Sequence, residues 1–146
     1  MSYPPAHRHR VFVDTSAYFV LVNRRDTSHS NASTMMIRLV AERRRLFTTN
    51  FTLAELHALV LTRINRTVAA RVLTEIDASQ ATTVVRVSVR DEQRARAIIA
   101  RYSDKDFSLN DAIFFAVMER LRISYAFSLD HNFAQYGWTL VDANTV

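Results

Sequence analysis

Short apolar runs alternate along the chain with longer segments in which apolar residues recur at helical spacing. The runs are rich in β-branched residues, a composition typical of strands buried on both faces of a parallel sheet. They predict strands at residues 11–13, 46–49, 83–89, 125–129 and 138–141. The segments between them predict helices at residues 17–23, 30–45, 50–64, 67–78, 91–102 and 108–122. Strands and helices in alternation predict a parallel α/β sheet covered on both faces.

The length and composition are those of one globular domain. The chain has 146 residues, of which 49% are hydrophobic and 23% are charged. It has no cysteine, which excludes disulfides and thiolate metal sites, and its one glycine excludes glycine-rich phosphate loops. We expect a single domain at residues 11–146 after a flexible lead-in at residues 1–10. No apolar run approaches the length of a membrane span, and the absence of cysteine fits a reducing cytosol, so we expect a cytoplasmic protein.

The chain is basic, with a formal net charge of +5, and Lys105 is the one lysine among 19 basic residues. A basic balance rich in arginine suggests a polyanionic partner such as nucleic acid. Biased genomic base composition would enrich arginine as well, so charge alone leaves the partner open. The arginines best placed for nucleic-acid contact are Arg24 and Arg25, beyond the first strand, with Arg63 and Arg66 as weaker candidates.

Four acids occupy positions that a parallel sheet can bring together. Asp14 and Asp130 each end an apolar strand, and Glu55 and Asp111 each lie near the start of a helix. Helices entered from parallel strands begin at the carboxyl edge of the sheet, where ligands collect in open α/β folds. If the helix that begins at Ser108 also reaches this edge, all four acids converge there.

Each acid also has an ordinary structural explanation. The spacings from Thr52 to Glu55 and from Ser108 to Asp111 resemble capping boxes, in which the acid binds the backbone N–H of the cap residue. Asp14 could cap the helix that follows it, and Asp130 fits a turn. The pattern leaves both explanations open.

Carboxylates forced together repel one another, and burial raises the cost further. A hard divalent cation such as Mg²⁺ or Mn²⁺ removes that conflict and leaves coordination positions for phosphate oxygens. An acidic pocket in a basic protein is therefore the arrangement that a metal-dependent nuclease needs.

Four sequence blocks resemble those of the PIN-domain family, in the family's order. The blocks are residues 11–17, 48–55, 104–113 and 128–133, and their acids fall on Asp14, Glu55, Asp111 and Asp130. The resemblance extends from about Val11 to Val141 and is closest to the VapC-like toxins of bacterial and archaeal toxin–antitoxin pairs. It implies a three-layer α/β/α sandwich with a short central parallel sheet. It also implies a Mg²⁺- or Mn²⁺-dependent ribonuclease, an RNA substrate, a homodimer and a small antitoxin that blocks the site.

For this function we assign Asp14 and Asp111 as direct metal ligands. Glu55 and Asp130 are expected to act through water, positioning or activating the nucleophile. Accessory candidates are Thr15, Ser16, Asn50 and Asp106. Capping explains Thr15 and Ser16 as well, and we favour a cap for Asn50 and a solvated loop charge for Asp106.

Three other functions compete with this hypothesis. A PIN-like module could bind RNA or protein without cutting, although it would not need all four acids. A phosphatase with a strand-end aspartate as nucleophile usually has a second aspartate two residues later, where this chain has Ser16. A DNA-directed nuclease of related architecture is not separated from a ribonuclease by residue pattern.

Overall fold

Five parallel strands form one sheet at the centre of the molecule, a computed structural model that describes residues 9–142. The strand order is β3-β2-β1-β4-β5, so the chain builds the sheet outward from β1 in both directions. Every strand pairs in parallel, and Phe12 of β1 lies opposite Phe47 and Ala126. The strands are β1 (Arg10–Val13), β2 (Arg45–Thr49), β3 (Thr82–Val85), β4 (Tyr125–Phe127) and β5 (Thr139–Leu140).

Seven helices are present in the described part of the chain, and they connect the strands. They are α1 (Thr15–Val22), α2 (His29–Ala41), α3 (Asn50–Arg63), α4 (Arg66–Ala78), α5 (Val89–Arg101), α6 (Leu109–Leu121) and α7 (Asn132–Tyr136). Over residues 9–142, no helix combines the length and the apolar character that crossing a membrane requires.

The two faces of β1 belong to two different hydrophobic clusters. Val11 and Val13 are fully buried and pack with residues of α1, α2, α3 and α4. Phe12, also fully buried, packs on the other face with residues of α5, α6 and α7. Consecutive side chains of a strand point to opposite faces, so three apolar residues in a row fix a strand covered on both sides. The predicted three-layer α/β/α sandwich with a central parallel sheet is confirmed.

Several predicted boundaries differ from the structure by one or more residues, including the following three. The strand predicted at residues 83–89 ends at Val85, because Ser88 caps α5 and forms a capping box with Asp91. The helix predicted to reach residue 45 ends at Ala41, since Arg43 has a left-handed backbone (φ 57°) and Arg45 begins β2. The strand predicted at residues 125–129 ends at Phe127.

The sequence pattern also missed one helix and placed the end of the lead-in one residue too late. Helix α7 is only five residues long, too short for a periodic signal, and ends at Gly137 with φ 118°. Arg10 begins β1, where it pairs with Arg45 of β2, instead of belonging to the expected lead-in. Residues 1–8 of that lead-in lie outside the described residues.

Candidate active site

Asp14 is the first residue after β1 and is 4% exposed. Its carboxylate caps α1, since Oδ1 accepts hydrogen bonds from the backbone N–H of Ala17 (3.0 Å) and from the Ser16 hydroxyl (2.7 Å). Oδ2 accepts a hydrogen bond from the hydroxyl of Ser128 at 2.6 Å. Asp14 therefore combines the capping role with a fixed position at the carboxyl edge of the central strand.

Burial raises the pKa of Asp14 from 3.8 to about 6. The hydrogen bonds from Ser128, Ala17 and Ser16 oppose this rise, and the nearby negative charge of Asp130 adds to it. The carboxylate thus carries a charge at neutral pH that its surroundings only partly stabilise.

Two serines connect the ends of β1 and β4. The Ser128 hydroxyl, which donates to Asp14, accepts a hydrogen bond from the backbone N–H of Asp130 (2.9 Å). The Ser16 hydroxyl accepts one from the backbone N–H of Leu129 (2.9 Å) and lies 3.3 Å from the Ser128 hydroxyl. These bonds hold the turn that carries Asp130 against the start of α1.

Asn132 continues the chain of hydrogen bonds from Asp130 to Asp111. Its backbone N–H donates to Oδ1 of Asp130 (2.9 Å), and its side-chain Nδ2 donates to Oδ2 of Asp111 (3.0 Å). Asp111 also forms the capping box of α6 with Ser108. The helix that begins after the polar loop therefore does reach the carboxyl edge of β4.

Glu55 is an exposed residue of α3, and the capping-box explanation for it is wrong. Thr49 is the cap of α3, and its hydroxyl accepts a hydrogen bond from the backbone N–H of Thr52. Oε2 of Glu55 instead accepts a hydrogen bond from the side-chain amide of Asn110 at 2.5 Å, one residue before Asp111. This contact brings the acid of α3 beside the start of α6.

The four acids thus lie along one set of hydrogen bonds that runs from Asp14 through Ser128, Asp130 and Asn132 to Asp111, with Glu55 held beside it by Asn110. Their ligand atoms are all carboxylate oxygens, the type that Mg²⁺ and Mn²⁺ prefer. Within residues 9–142, however, no three acidic, histidine or cysteine side chains are close enough together to hold an ion. The carboxylate oxygens are the right type of ligand for a hard divalent cation, but in this structure amide and hydroxyl groups lie between the four acids.

The other predicted site residues have different surroundings. Thr15, at the start of α1, is buried, and its hydroxyl has no hydrogen-bond partner among the described residues. Oδ1 of Asn50 accepts a hydrogen bond from the backbone N–H of Val87 (2.8 Å), which ties α3 to the segment before α5, so Asn50 is not a cap. Asp106 is exposed in the loop before α6.

The predicted nucleic-acid contacts, Arg24 and Arg25, are exposed in the turn after α1. Arg24 lines a surface pocket that α1 forms with Arg71 and Glu75 of α4, and none of the four acids lines that pocket. Their role in nucleic-acid contact stays a prediction.

Three residues that contact the acids were missed at the sequence level. Ser128, Asn110 and Asn132 were not assigned roles, although each lies within two residues of a predicted acid. The spacing from Ser128 to Asp130 to Asn132 is the local signal that could have found two of them. At that spacing a side-chain oxygen accepts a hydrogen bond from the backbone N–H two residues later.

Comparison with known families agrees with this arrangement. The PIN domain matches residues 11–138, which include all four acids. The chain belongs to the PIN-domain family. The predicted family is therefore confirmed, and its four acids lie at the carboxyl edge of the PIN sheet.

Several proteins are similar to this PIN domain. The 23S rRNA-specific endonuclease VapC20 of Mycobacterium tuberculosis is 32% identical over 135 residues, which cover 90% of this chain and 97% of VapC20. The crystal structure of VapC20, described as a sarcin-ricin loop cleaving toxin, matches with a TM-score of 0.81 at 29% identity, covering 90% of this chain and 98% of that one.

Two more distant structures share the fold. A toxin–antitoxin complex from Klebsiella pneumoniae matches with a TM-score of 0.64 at 16% identity, covering 90% of this chain and 95% of that one. VapBC2 from Rickettsia felis, bound to a DNA fragment from its promoter, matches with a TM-score of 0.67 at 13% identity, covering 90% of this chain and 97% of that one.

Proposed function

We propose that this chain is a metal-dependent endoribonuclease and the toxin of a toxin–antitoxin pair. The observation that carries the proposal is the set of hydrogen bonds that links Asp14, Asp130 and Asp111 at one sheet edge, with Glu55 held beside it by Asn110. Membership of the PIN family and similarity to an endonuclease specific for 23S rRNA support RNA as the substrate class. A loop of ribosomal RNA is therefore the first substrate to test.

We infer that Asp14 and Asp111 hold a Mg²⁺ or Mn²⁺ ion directly, with Glu55 and Asp130 acting through water. When bound, such an ion lowers the pKa of water and stabilises the charge that develops on a phosphodiester during hydrolysis. The protein's part is to keep Asp14 ionised and oriented, for which the hydroxyls of Ser16 and Ser128 are suited. Glu55, exposed and held by Asn110, is suited to accept a proton from the attacking water.

The proposed partners follow from the same function. The net charge of +5 favours association with RNA, and Arg24 and Arg25 remain the candidates for that contact. Similarity to toxin–antitoxin complexes supports a small antitoxin partner. We also propose a homodimer, and a cytoplasmic location where ribosomal RNA is accessible.

The test is cleavage of ribosomal RNA and of hairpins derived from its loops by the purified chain, free of any partner, with Mg²⁺, Mn²⁺ or EDTA. Asp14→Asn removes the central carboxylate, and Asp77→Asn is a matched control on the exposed face of α4. We expect cutting that EDTA and Asp14→Asn abolish and that Asp77→Asn leaves unchanged. Equal cutting by the wild type and Asp14→Asn would overturn the proposal. RNA binding without cutting would instead indicate a binding module.

A further inference from the structure

A pocket of about 460 Å³ opens between α2 and the carboxyl ends of β4 and β5. Its size lies in the range of small-molecule sites, roughly 300–1,000 Å³. The pocket is separate from the four acids, none of which lines it. It has no role in the function derived so far.

Ser128 joins this pocket to the acids. The residue lines the pocket, and its hydroxyl also donates the 2.6 Å hydrogen bond to Oδ2 of Asp14. Leu129, 40% exposed, lines the pocket as well and comes directly before Asp130. A nucleotide whose phosphate lies at the acids therefore has this pocket as its immediate neighbour.

The lining suits a flat, neutral and polar-edged ligand. Met35, Phe127 and Val141 provide apolar surface, and the side chains of Ser28, Asn31 and Thr34 provide hydrogen-bonding groups. The charges in the lining are those of Arg38 and Asp142, which are opposite in sign, and Arg38 also forms an ion pair with Glu42 at 3.1 Å. Because this balance gives no net positive charge, the pocket fits a nucleobase better than a phosphate.

We propose that this pocket binds one unpaired base of the RNA substrate beside the cleaved phosphodiester and so determines which nucleotide flanks the cut. Sequence-specific recognition of RNA typically uses splayed-out, unpaired bases of loops, and a side-chain amide such as that of Asn31 can both donate to and accept from a base edge. The inference rests on the proposed ribonuclease function and adds a specificity site to it.

The test uses two changes on the exposed side of α2. Asn31→Ala removes the amide, and Thr34→Phe fills the pocket; Ser30→Ala and Ile37→Phe are matched controls at exposed α2 positions outside the lining. Each variant is given hairpins with randomised loop nucleotides, and hairpins in which each nucleotide near the cut is made abasic in turn. To measure binding without cleavage, each change is also combined with Asp14→Asn. The affinity of these double variants for the same hairpins is measured by fluorescence anisotropy in EDTA.

We expect the wild type to lose about tenfold in kcat/KM when one particular nucleotide is abasic. On the intact RNA, Asn31→Ala and Thr34→Phe should have a kcat/KM about tenfold below that of the wild type. On that abasic hairpin their kcat/KM should fall no further. The control variants should behave as the wild type on both RNAs. Unchanged nucleotide preference in an actively cutting Thr34→Phe variant would overturn the pocket assignment and leave the proposed function standing. Loss of antitoxin binding or of dimerisation in Thr34→Phe with unchanged preference would also overturn it. A wild type that cuts no RNA would refute the proposed function. In that case the binding assay decides on the pocket: if Asn31→Ala and Thr34→Phe in the Asp14→Asn background bind RNA as tightly as Asp14→Asn alone, the pocket assignment is refuted as well.

Discussion

The hydroxyl of Ser128 donates a hydrogen bond to Oδ2 of Asp14 at 2.6 Å, across 114 positions of sequence. The hydroxyl oxygen of Ser128 also accepts a hydrogen bond from the backbone N–H of Asp130, so one small side chain contacts the carboxylate of one acid and the backbone of another. The bond favours the ionised form of Asp14 and opposes the rise in pKa that burial causes. Ser128 therefore acts on the reaction through Asp14, as a positioning residue.

Replacing Ser128 with alanine removes the donor to Oδ2 and should raise the pKa of Asp14 further above its value of about 6. We expect kcat/KM for RNA cleavage to fall by about 10–100-fold, the usual effect of losing a group that orients a metal-binding or catalytic side chain. The acidic limb of the pH–rate profile should move to higher pH, and Ser128→Thr should restore both. The measurement is kcat/KM from pH 5 to pH 8.

A matched control lies four residues earlier. Ser124, just before β4, is buried, and its hydroxyl has no hydrogen-bond partner among the described residues. Ser124→Ala should leave cleavage unchanged and be neutral or slightly stabilising, because it removes an unsatisfied polar group. An unchanged pH profile in Ser128→Ala would contradict the positioning role.

Asp14→Asn should stabilise the metal-free protein at neutral pH. The pKa of Asp14 is raised to about 6 in the folded state, so between about pH 4 and pH 6 the folded state holds a proton that the unfolded state has released. The stability of the wild type relative to Asp14→Asn therefore falls as pH rises through this window. Asparagine keeps an oxygen that can cap α1, so the remaining cost of the substitution is small.

Above pH 6 the expected gain in the free energy of unfolding is at most ~3 kcal/mol, and it should vanish below about pH 4. Thermal unfolding in EDTA from pH 4 to pH 8 measures it, with Asp77→Asn as a control at an exposed position. A pH-independent difference between the wild type and Asp14→Asn would show that the Asp14 carboxylate is not desolvated.

The central sheet could be predicted because burial on both faces leaves a simple pattern. The run Val11-Phe12-Val13 has no polar residue, as is typical of a strand covered on both sides. The end of β3 could not be read in this way, since residues 86–89 continue the β-branched pattern while Ser88 already caps α5. There a local hydrogen bond to the backbone overrides strand propensity.

The acids were predictable, and the groups that connect them were not. Asp14 and Asp130 stand out in the sequence because a carboxylate follows each apolar run. Asn110 lies 55 positions from Glu55, and its side-chain amide carries neither a charge nor a periodic pattern that would indicate the contact. The pairing depends on how α3 and α6 approach each other, which is decided by packing over the whole domain.

Asn132→Ala should impair cleavage with little loss of stability. The substitution removes the amide that donates to Oδ2 of Asp111, while the capping box with Ser108 still holds the start of α6. We expect kcat/KM to fall by about tenfold or more and the free energy of unfolding to fall by less than ~1 kcal/mol. RNA cleavage kinetics and urea unfolding measure the two effects.

Asn65→Ala serves as the control, because it should lower stability and leave cleavage unchanged. Asn65 caps α4, and its Oδ1 accepts the backbone N–H of Val68 at 2.8 Å, so its loss should cost ~1 kcal/mol of stability. It has no described contact with the four acids, and cleavage should be unchanged. Equal effects of Asn65→Ala and Asn132→Ala on cleavage would argue against a specific role for Asn132.

The ion pair between Asp91 and Arg120 should contribute to stability alone. Asp91 is 3% exposed and accepts two hydrogen bonds from the guanidinium of Arg120, at 2.9 Å and 2.8 Å. Burial raises the pKa of Asp91, but the hydrogen bonds from Arg120 and Ser88 outweigh it, and the net pKa is lowered. Arg120 lies in the last turn of α6, far from Asp111 in the first.

Arg120→Met leaves the buried carboxylate of Asp91 without its charged partner, and we expect a loss of about 2–4 kcal/mol in the free energy of unfolding at pH 7. Because the lowered pKa of Asp91 stabilises the folded state fully only where the unfolded carboxyl is ionised, the loss should shrink as pH falls below about 4 and disappear once pH falls through the lowered pKa of the folded state. Urea unfolding at pH 7 and in acid measures both.

The control is Arg71→Met, which breaks an exposed pair with Glu75 and should change stability by less than ~0.5 kcal/mol. Arg120→Met and Arg71→Met should both cleave RNA at the wild-type rate where they are folded. A large loss of cleavage in folded Arg120→Met would show that this end of α6 influences the acids.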